Sequence, residues 1–402
     1  MTVSYSLLVA TASARTSLFL LLRWRGSLWK VVYKEFIVWL LLLIASTLLY
    51  YFVIKSSSFD SDYKWFVNYV DAVSAKAPVL IVLSFVTNIV LTRWQSVYLQ
   101  FLWPENVALT LKYFINEHMP DSKSILTVAQ RYFLLCAALV FRDVNVQIRD
   151  HYFPTYESFI EKGLLTKEEK DIMFSTQLKP TACRYWFPLL WVIQLVKKRY
   201  NAKKGLLRTR KEALILEKHY CELVNAINDY RAGISDIMSY DFIPIPLALT
   251  QLFTFFIYST LFLGIFSFQS RVFDSMQAPD ASLPTVLSIQ FISAAMFNLF
   301  FIGWLRIAHI ILNPFGEDDN DFPMCELLEQ YCDSLYQILC VPTDVPIYKK
   351  GDKPLVPKLR HTVASAFLKR GGNKPDIGSA VNGGNEMDEQ REKVIFVRSS
   401  ER

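Results

Sequence analysis

The chain has 402 residues, 52% of them hydrophobic, and a positive mean hydropathy, which is too apolar for an ordinary soluble protein. Its 30 Phe, 20 Tyr and 9 Trp suit a membrane protein with aromatic side chains at the interfaces. A net charge of +6 is small for this length and no RNP, zinc-finger or basic-zipper pattern is present, so no nucleic-acid partner is expected.

Residues 1–35 carry Arg15, Arg23, Arg25, Lys30 and Lys34 against Glu35 alone. Arginines interrupt the short apolar run Leu18–Leu22, so it does not read as a signal peptide, and the basic excess places the N-terminus in the cytosol. Phe36–Ile54 is uncharged and long enough to cross the ~30 Å hydrocarbon core. Lys55–Lys76 has balanced charge and reads as an outside loop. A second span is expected over 78–94, with Pro78 at its start and Arg93-Trp94 at the cytosolic return. It is short for a lipid-facing helix, which favours one shielded by others, such as a helix lining a pore.

Residues 95–240 mix charge with apolar residues at helical spacing and read as a cytosolic helical region. Thr166 and Glu169 form a capping-box pattern. Tyr132–Phe141 and Trp186–Val196 are apolar but too short to span, so buried helices are expected there. Lys197–Arg210 is the most basic stretch, read as a solvated turn, a contact with anionic lipid, or a surface that attracts anions. Two further spans are expected at 242–268, where Pro244 and Pro246 break or kink the start, and at 283–312. The result is four spans with both termini inside. Residues 1–345 form the folded part, and 346–402, rich in Gly, Asn and charge, are expected to be a mostly disordered tail.

Directly after the last span comes Asn313-Pro314-Phe315-Gly316-Glu317-Asp318-Asp319-Asn320-Asp321, with four carboxylates in five positions. Charges so close repel and need neutralising by water, a helix N-terminus, basic partners or a hard cation. Carboxylates mixed with Asn and backbone carbonyls suit calcium. The loop is not an EF-hand, since Pro323 occupies the position that motif reserves for glycine. The alternative is a helix start, because residues 325–340 have helical spacing and acids there complement the helix dipole. The two readings are compatible.

No Walker, dinucleotide-binding, zincin, nucleophile-elbow or CxxC motif is present, and the five histidines are scattered, so an enzyme is not expected. The six cysteines have no partners at metal spacing and read as reduced thiols.

The acidic stretch NPFGEDDND resembles the signature of the bestrophins. So do Trp24-Arg25-Gly26-Ser27, Thr92-Arg93-Trp94, and Tyr240-Asp241-Phe242-Ile243-Pro244-Ile245-Pro246 followed by Thr250-Gln251. These stretches occur in family order over about residues 1–340. The resemblance implies an all-α polytopic membrane protein with four transmembrane helices per subunit and a helical cytosolic region, assembled as a symmetric homopentamer in the plasma membrane. The implied activity is a calcium-activated channel passing chloride and other small anions. The alternative is a transporter-like or accessory scaffold that does not conduct.

The resemblance also implies site residues. The calcium clasp would take carbonyl oxygens of Ala10, Ile310 and Asn313 and the carboxylates of Asp318 and Asp321. Ala77, Ile81 and Phe85 stand at i, i+4 and i+8 if the second span is one helix. Spacing alone is equally that of core packing between spans; the resemblance makes the three an apolar pore neck, with Ala77 and Ile81 departing from the usual Ile/Phe pattern. A second, cytosolic aperture falls at Lys218, with His219 or Leu216 as alternatives and an exposed helix lysine as the plain reading.

Overall fold

The computed structural model describes residues 14–101, 103–115, 121–175, 183–277 and 282–342. Regular structure among them is helical throughout. The chain divides into two units: Met1–Thr2 with Leu28–Pro342, and Val3–Ser27 with Thr343–Arg402. Of the second unit the structure describes one helix, α1 (Ala14–Leu21), and a turn in which the Ser27 hydroxyl donates to the Trp24 carbonyl at 2.6 Å and Gly26 takes a positive φ. The expected tail, 346–402, lies outside the described residues, as does Ala10.

The larger unit has two parts. The apolar part is built from α2 (Leu28–Leu49), prolonged by a π turn over Tyr50–Ile54, α4 (Val79–Leu99), α11 (Leu247–Ser275) and α12 (Leu283–Ile311). Their facing stripes bury Val32, Trp39, Leu43, Leu83, Ile257, Leu261 and Ile302 in one cluster. Their other faces stay apolar and exposed, with Leu41, Phe52, Ile81, Phe255 and Met296 among them, which is the pattern of helices whose outer surface is not water-facing. The Trp39 indole N–H donates to the Leu261 carbonyl at 3.2 Å and ties α2 to α11.

Between α2 and α4, the segment expected to be a loop forms α3 (Asp60–Ser74). It buries Val67 and Val70 and lies along the end of α11, where Ser270 donates to the Asn68 side chain at 2.6 Å and Tyr63 donates to Gln269. Buried polar groups need such partners, and here they hold the hairpin in place.

The polar part is organised around α6 (Ser122–Val144). It is surrounded by α5 (Glu105–Phe114), α7 (Tyr156–Glu161), α8 (Lys167–Ser175), α9 (Trp186–Lys204), α10 (Arg210–Phe242) and α13 (Met324–Leu339), all described by one continuous hydrophobic cluster or packed beside it. The expected capping box is present: Thr166 N–H donates to Glu169 at 2.9 Å, and Glu169 N–H to the Thr166 hydroxyl at 3.2 Å. Glu169 also receives two hydrogen bonds of 2.7 Å from Arg131 and one of 2.6 Å from Tyr132, tying α8 to α6.

Among the described residues five helices are long and apolar enough to cross a membrane, where sequence reading expects four spans. The additional one is α6. Within its most apolar window 67% of residues are buried, against 17% to 22% for α2, α4, α11 and α12. The helices also overrun the apolar runs. α2 begins at Leu28 rather than 36, and α4 ends at Leu99 rather than 94. α11 begins at Leu247 rather than 242, because Ile243–Pro246 breaks the chain between α10 and α11.

Candidate functional site

The acidic stretch folds as a closed loop between α12 and α13. α12 ends at Ile311, so the carbonyls of its last turn, Ile310 included, lack intrahelical partners. The loop then closes on itself. Phe315 N–H donates to the Asn313 side chain at 3.3 Å, and Phe322 N–H donates to the Pro314 carbonyl at 2.9 Å. Within it, Asp318 N–H donates to Asp321 Oδ2 at 2.6 Å and Asp321 N–H to the Asp318 carbonyl at 3.1 Å.

Asp321 is 4% exposed, whereas Asp318 faces solvent. Burial pushes the Asp321 carboxyl up to about 6; the Asp318 backbone N–H works against this, and the Asp318 charge adds to it. A second carboxylate beside a buried one adds like-charge repulsion, which a bound cation relieves. A methyl group added at Gly316 would lie 2.7 Å from Asp321 Oδ2 and 3.6 Å from the Asn313 carbonyl oxygen. The Asp321 carboxylate and the Asn313 carbonyl therefore share one side of Gly316, a position with no room for a side chain. A cavity of about 340 Å³ opens beside the loop, lined by Asp318 and Asp321 on one wall and Gln147 and His151 on another.

Among the described residues no group of three Asp, Glu, His or Cys is gathered as a metal set. A cation held here would therefore need backbone oxygens in addition to the two carboxylates. The Asn313 carbonyl, on the same side of Gly316 as Asp321, can supply one, and an all-oxygen set of this kind fits calcium.

Three connections to the loop escape a reading by spacing. Lys30, in the first turn of α2, forms an ion pair with Asp319, 289 residues away, so one of the four carboxylates is neutralised by the protein itself. Asn145, 3% exposed at the end of α6, donates to the Phe315 carbonyl at 2.9 Å. Phe322 stacks on Trp94 of α4 with ring centroids 5.2 Å apart, within an aromatic group that includes Tyr98, Phe101 and Phe315.

On α4, Ile81 is 72% and Phe85 56% exposed, so within this chain they are not core. Ser84 and Asn88 share the exposed face, while Leu83, Val86 and Val90 are buried on the opposite one. Ala77 precedes the helix, which starts at Val79 behind Pro78, so the three residues do not form one helical stripe. Arg93, near the end of α4, donates to the carbonyls of Tyr240 and Ile243 and so grips the break between α10 and α11. Lys218 is exposed on α10, 3.8 Å from Glu222; Leu216 packs against the core and His219 lies edge-on to Tyr113.

An exposed-apolar helical bundle joined to a polar helical domain defines a polytopic α-helical membrane protein. The chain belongs to the bestrophin family, whose model, described as "Bestrophin, RFP-TM, chloride channel", matches residues 1–341. Bestrophin homolog 22 of Caenorhabditis elegans is 30% identical over 328 residues, covering 80% of this chain and 61% of that protein. Human Bestrophin-3 is 30% identical over 325 residues, covering 80% and 46%. The chain thus spans about half to three-fifths of these relatives' length. In fold it is similar to a crystal structure of a bacterial bestrophin homologue from Klebsiella pneumoniae, with a TM-score of 0.54 at 13% identity, covering 77% of this chain and 99% of that one.

Proposed function

We propose that the protein is a calcium-activated anion channel, passing chloride and other small anions through the axis of a symmetric pentamer in the plasma membrane. In this reading α2, α4, α11 and α12 are the spans, α6 is the core of the cytosolic part, and both termini face the cytosol. The deep burial of α6 and the basic residues at the start of α2 support that arrangement.

The pore face is α4. Its exposed stripe carries Ile81, Ser84, Phe85 and Asn88, and no acidic residue lies between Ala77 and Leu91. Repeated around an axis, such a stripe makes apolar rings, which gate by dewetting, between polar groups that do not favour cations. Ala77, two residues before the helix, would stand at the mouth of this neck. Lys218, exposed and only loosely paired, would place positive charge at a cytosolic aperture.

The calcium set would be Asp318, Asp321, Asn313 and Ile310, completed by Ala10. A bound calcium ion would offset the repulsion between the Asp318 and Asp321 carboxylates. The residues of the chain do the rest. Gly316 leaves space for the Asp321 carboxylate, Asn145 holds the Phe315 carbonyl, and Lys30 removes the charge of Asp319.

The observation that carries the proposal is the stacking of Phe322 on Trp94. Phe322 follows Asp321 directly, and Trp94 stands on α4, so the ordering of the loop and the position of the pore helix share one contact. An affinity ratio of ten between two states of the loop is worth about 1.4 kcal/mol per subunit, and five subunits acting together give a steep switch. Cysteine accessibility tests the pore assignment. Cysteines at positions 81 and 85 are expected to react with small charged thiol reagents faster in high calcium than in its absence. Unreactive cysteines in a conducting protein would overturn it.

A further inference from the structure

A second surface of the molecule has the features of a ligand site. A groove of about 370 Å³ runs between α2 and α11, walled by Val38 and Leu42 on one side and Phe262 and Ile265 on the other, with Ile302 of α12 behind. Its floor is Trp39, buried and tied to the Leu261 carbonyl, so the two helices are held apart at a fixed spacing. The groove is apolar along its length and charged at one end only. There Lys34 and Glu35 of α2 and the Tyr258 hydroxyl of α11 form the mouth.

The charges at the mouth do not cancel. Glu35 accepts from Tyr258 at 3.0 Å and lies 3.2 Å from Arg306 of α12, an ion pair without hydrogen-bond geometry. With Glu35 and Arg306 paired, Lys34 remains: it is exposed, and its ammonium sits 5.9 Å from the Tyr33 ring centroid. The mouth therefore carries one positive charge. It lies at the end of α2 that also holds Lys30 and the start of the helix, where the basic excess of the chain is concentrated.

An apolar slot that follows the helix axis, closed at its interfacial end by a lysine and a tyrosine, matches an acyl chain below a negatively charged headgroup. We propose that this groove seats one acyl chain of an anionic phospholipid, with the headgroup phosphate against Lys34. The proposal rests on reading α2 and α11 as membrane spans and is independent of calcium binding and conduction. Charge at the mouth argues for an anionic rather than a zwitterionic lipid, and the fixed floor argues for a chain rather than a bulky ring system. A second copy of the protein laid over the groove is the competing occupant.

The experiment uses the full-length protein in neutral detergent, incubated with equimolar phosphatidylserine and phosphatidylcholine of identical chains. Lipid retention is counted by native mass spectrometry, with melting temperature as a second readout. Phosphatidylserine is expected to be retained about fivefold over phosphatidylcholine, the preference one lysine at a membrane surface provides. Lys34→Gln should bring that ratio near one without unfolding the protein, and Val38→Trp, which fills the slot, should lower retention of both lipids. Glycerophosphoserine, which has the headgroup without the chains, should not raise the melting temperature. Equal retention of the two lipids by the unaltered protein, an unchanged preference in Lys34→Gln, or stabilisation by glycerophosphoserine alone would each overturn the proposal. So would efficient disulfide formation between copies in Val38→Cys, which would make the groove a subunit interface.

Discussion

The Trp94 and Phe322 rings lie 5.2 Å apart at an interplanar angle of 29°, joining the C-terminal end of α4 to the residue that follows Asp321. Aromatic pairs of this kind contribute about 0.5–1.5 kcal/mol beyond the area they bury. In the proposed channel this pair transmits the state of the loop to the pore helix. Phe322→Ala should leave calcium binding near normal by titration calorimetry while lowering the current that saturating calcium evokes. Equal losses of affinity and current would assign Phe322 to the loop's fold alone.

The four carboxylates of the loop have different surroundings. Asp321 is buried beside Asp318, and Asp319 is paired with Lys30. Asp321→Ala is expected to shift calcium activation at least tenfold or abolish it, with the pentamer still assembling. Asp319→Ala should act more weakly, and by the same route as Lys30→Ala, because each removes one half of a single tie. A double-mutant cycle on activation midpoints should then show a coupling of about 0.5–1 kcal/mol between positions 30 and 319. Additive effects would mean that the pair does not position the loop.

Gly316→Ala tests the geometry without altering charge. Its methyl group would stand 2.7 Å from Asp321 Oδ2, a distance that real side chains do not adopt, so the carboxylate must turn away. The expected result is weaker calcium activation with all four acidic residues intact. An unchanged activation curve would show that the Asp321 carboxylate is not held where it is needed.

The polar helical part has its own pH signature. Burial works to raise the Glu169 carboxyl, but the hydrogen bonds from Arg131, Tyr132 and Thr166 outweigh it and bring it to about 2, from an ordinary 4.5. A carboxyl lowered on folding contributes stability that is present in full above its unfolded value and is lost as pH falls towards its folded one. Melting temperature should therefore decline between about pH 4.5 and 2 in part through this group. Glu169→Gln should cost about 2 kcal/mol at neutral pH and flatten that decline. An equally steep acid transition in the variant would place the sensitivity elsewhere.

Much of this is legible in the residues alone. The long apolar runs marked the four outer helices, Thr166 and Glu169 marked a helix start, and four carboxylates within 317–321 marked the loop. What was not legible has physical causes. Lys30, Lys34 and Glu35 end the apolar run of α2 in sequence, yet the helix continues through them because Lys30 pairs with Asp319 and Glu35 with Arg306 and Tyr258. The helix α3 was hidden by its charges, although Tyr63, Val67 and Val70 show the helical spacing that packs it on α11. α6 passes for a span by overall length and hydropathy, but its apolar stretch Tyr132–Phe141 is short and bounded by Arg131 and Arg142, which marked a buried helix, and its burial agrees. A stripe of Ala77, Ile81 and Phe85 needs a helix that includes Ala77, but Pro78 delays the helix to Val79. The joints at Trp94–Phe322 and Asn145–Phe315 bring together residues far apart in the chain, which periodicity cannot pair.

The central claim is calcium-gated anion conduction, and one recording tests it most directly. The purified full-length protein is placed in a planar bilayer under a chloride gradient, and calcium on the cytosolic side is stepped from nanomolar to micromolar. The account predicts a current that rises with calcium, reverses near the chloride equilibrium potential, and loses its calcium dependence in Asp321→Ala. No current at any calcium concentration, or a reversal potential that follows the cation, would contradict it.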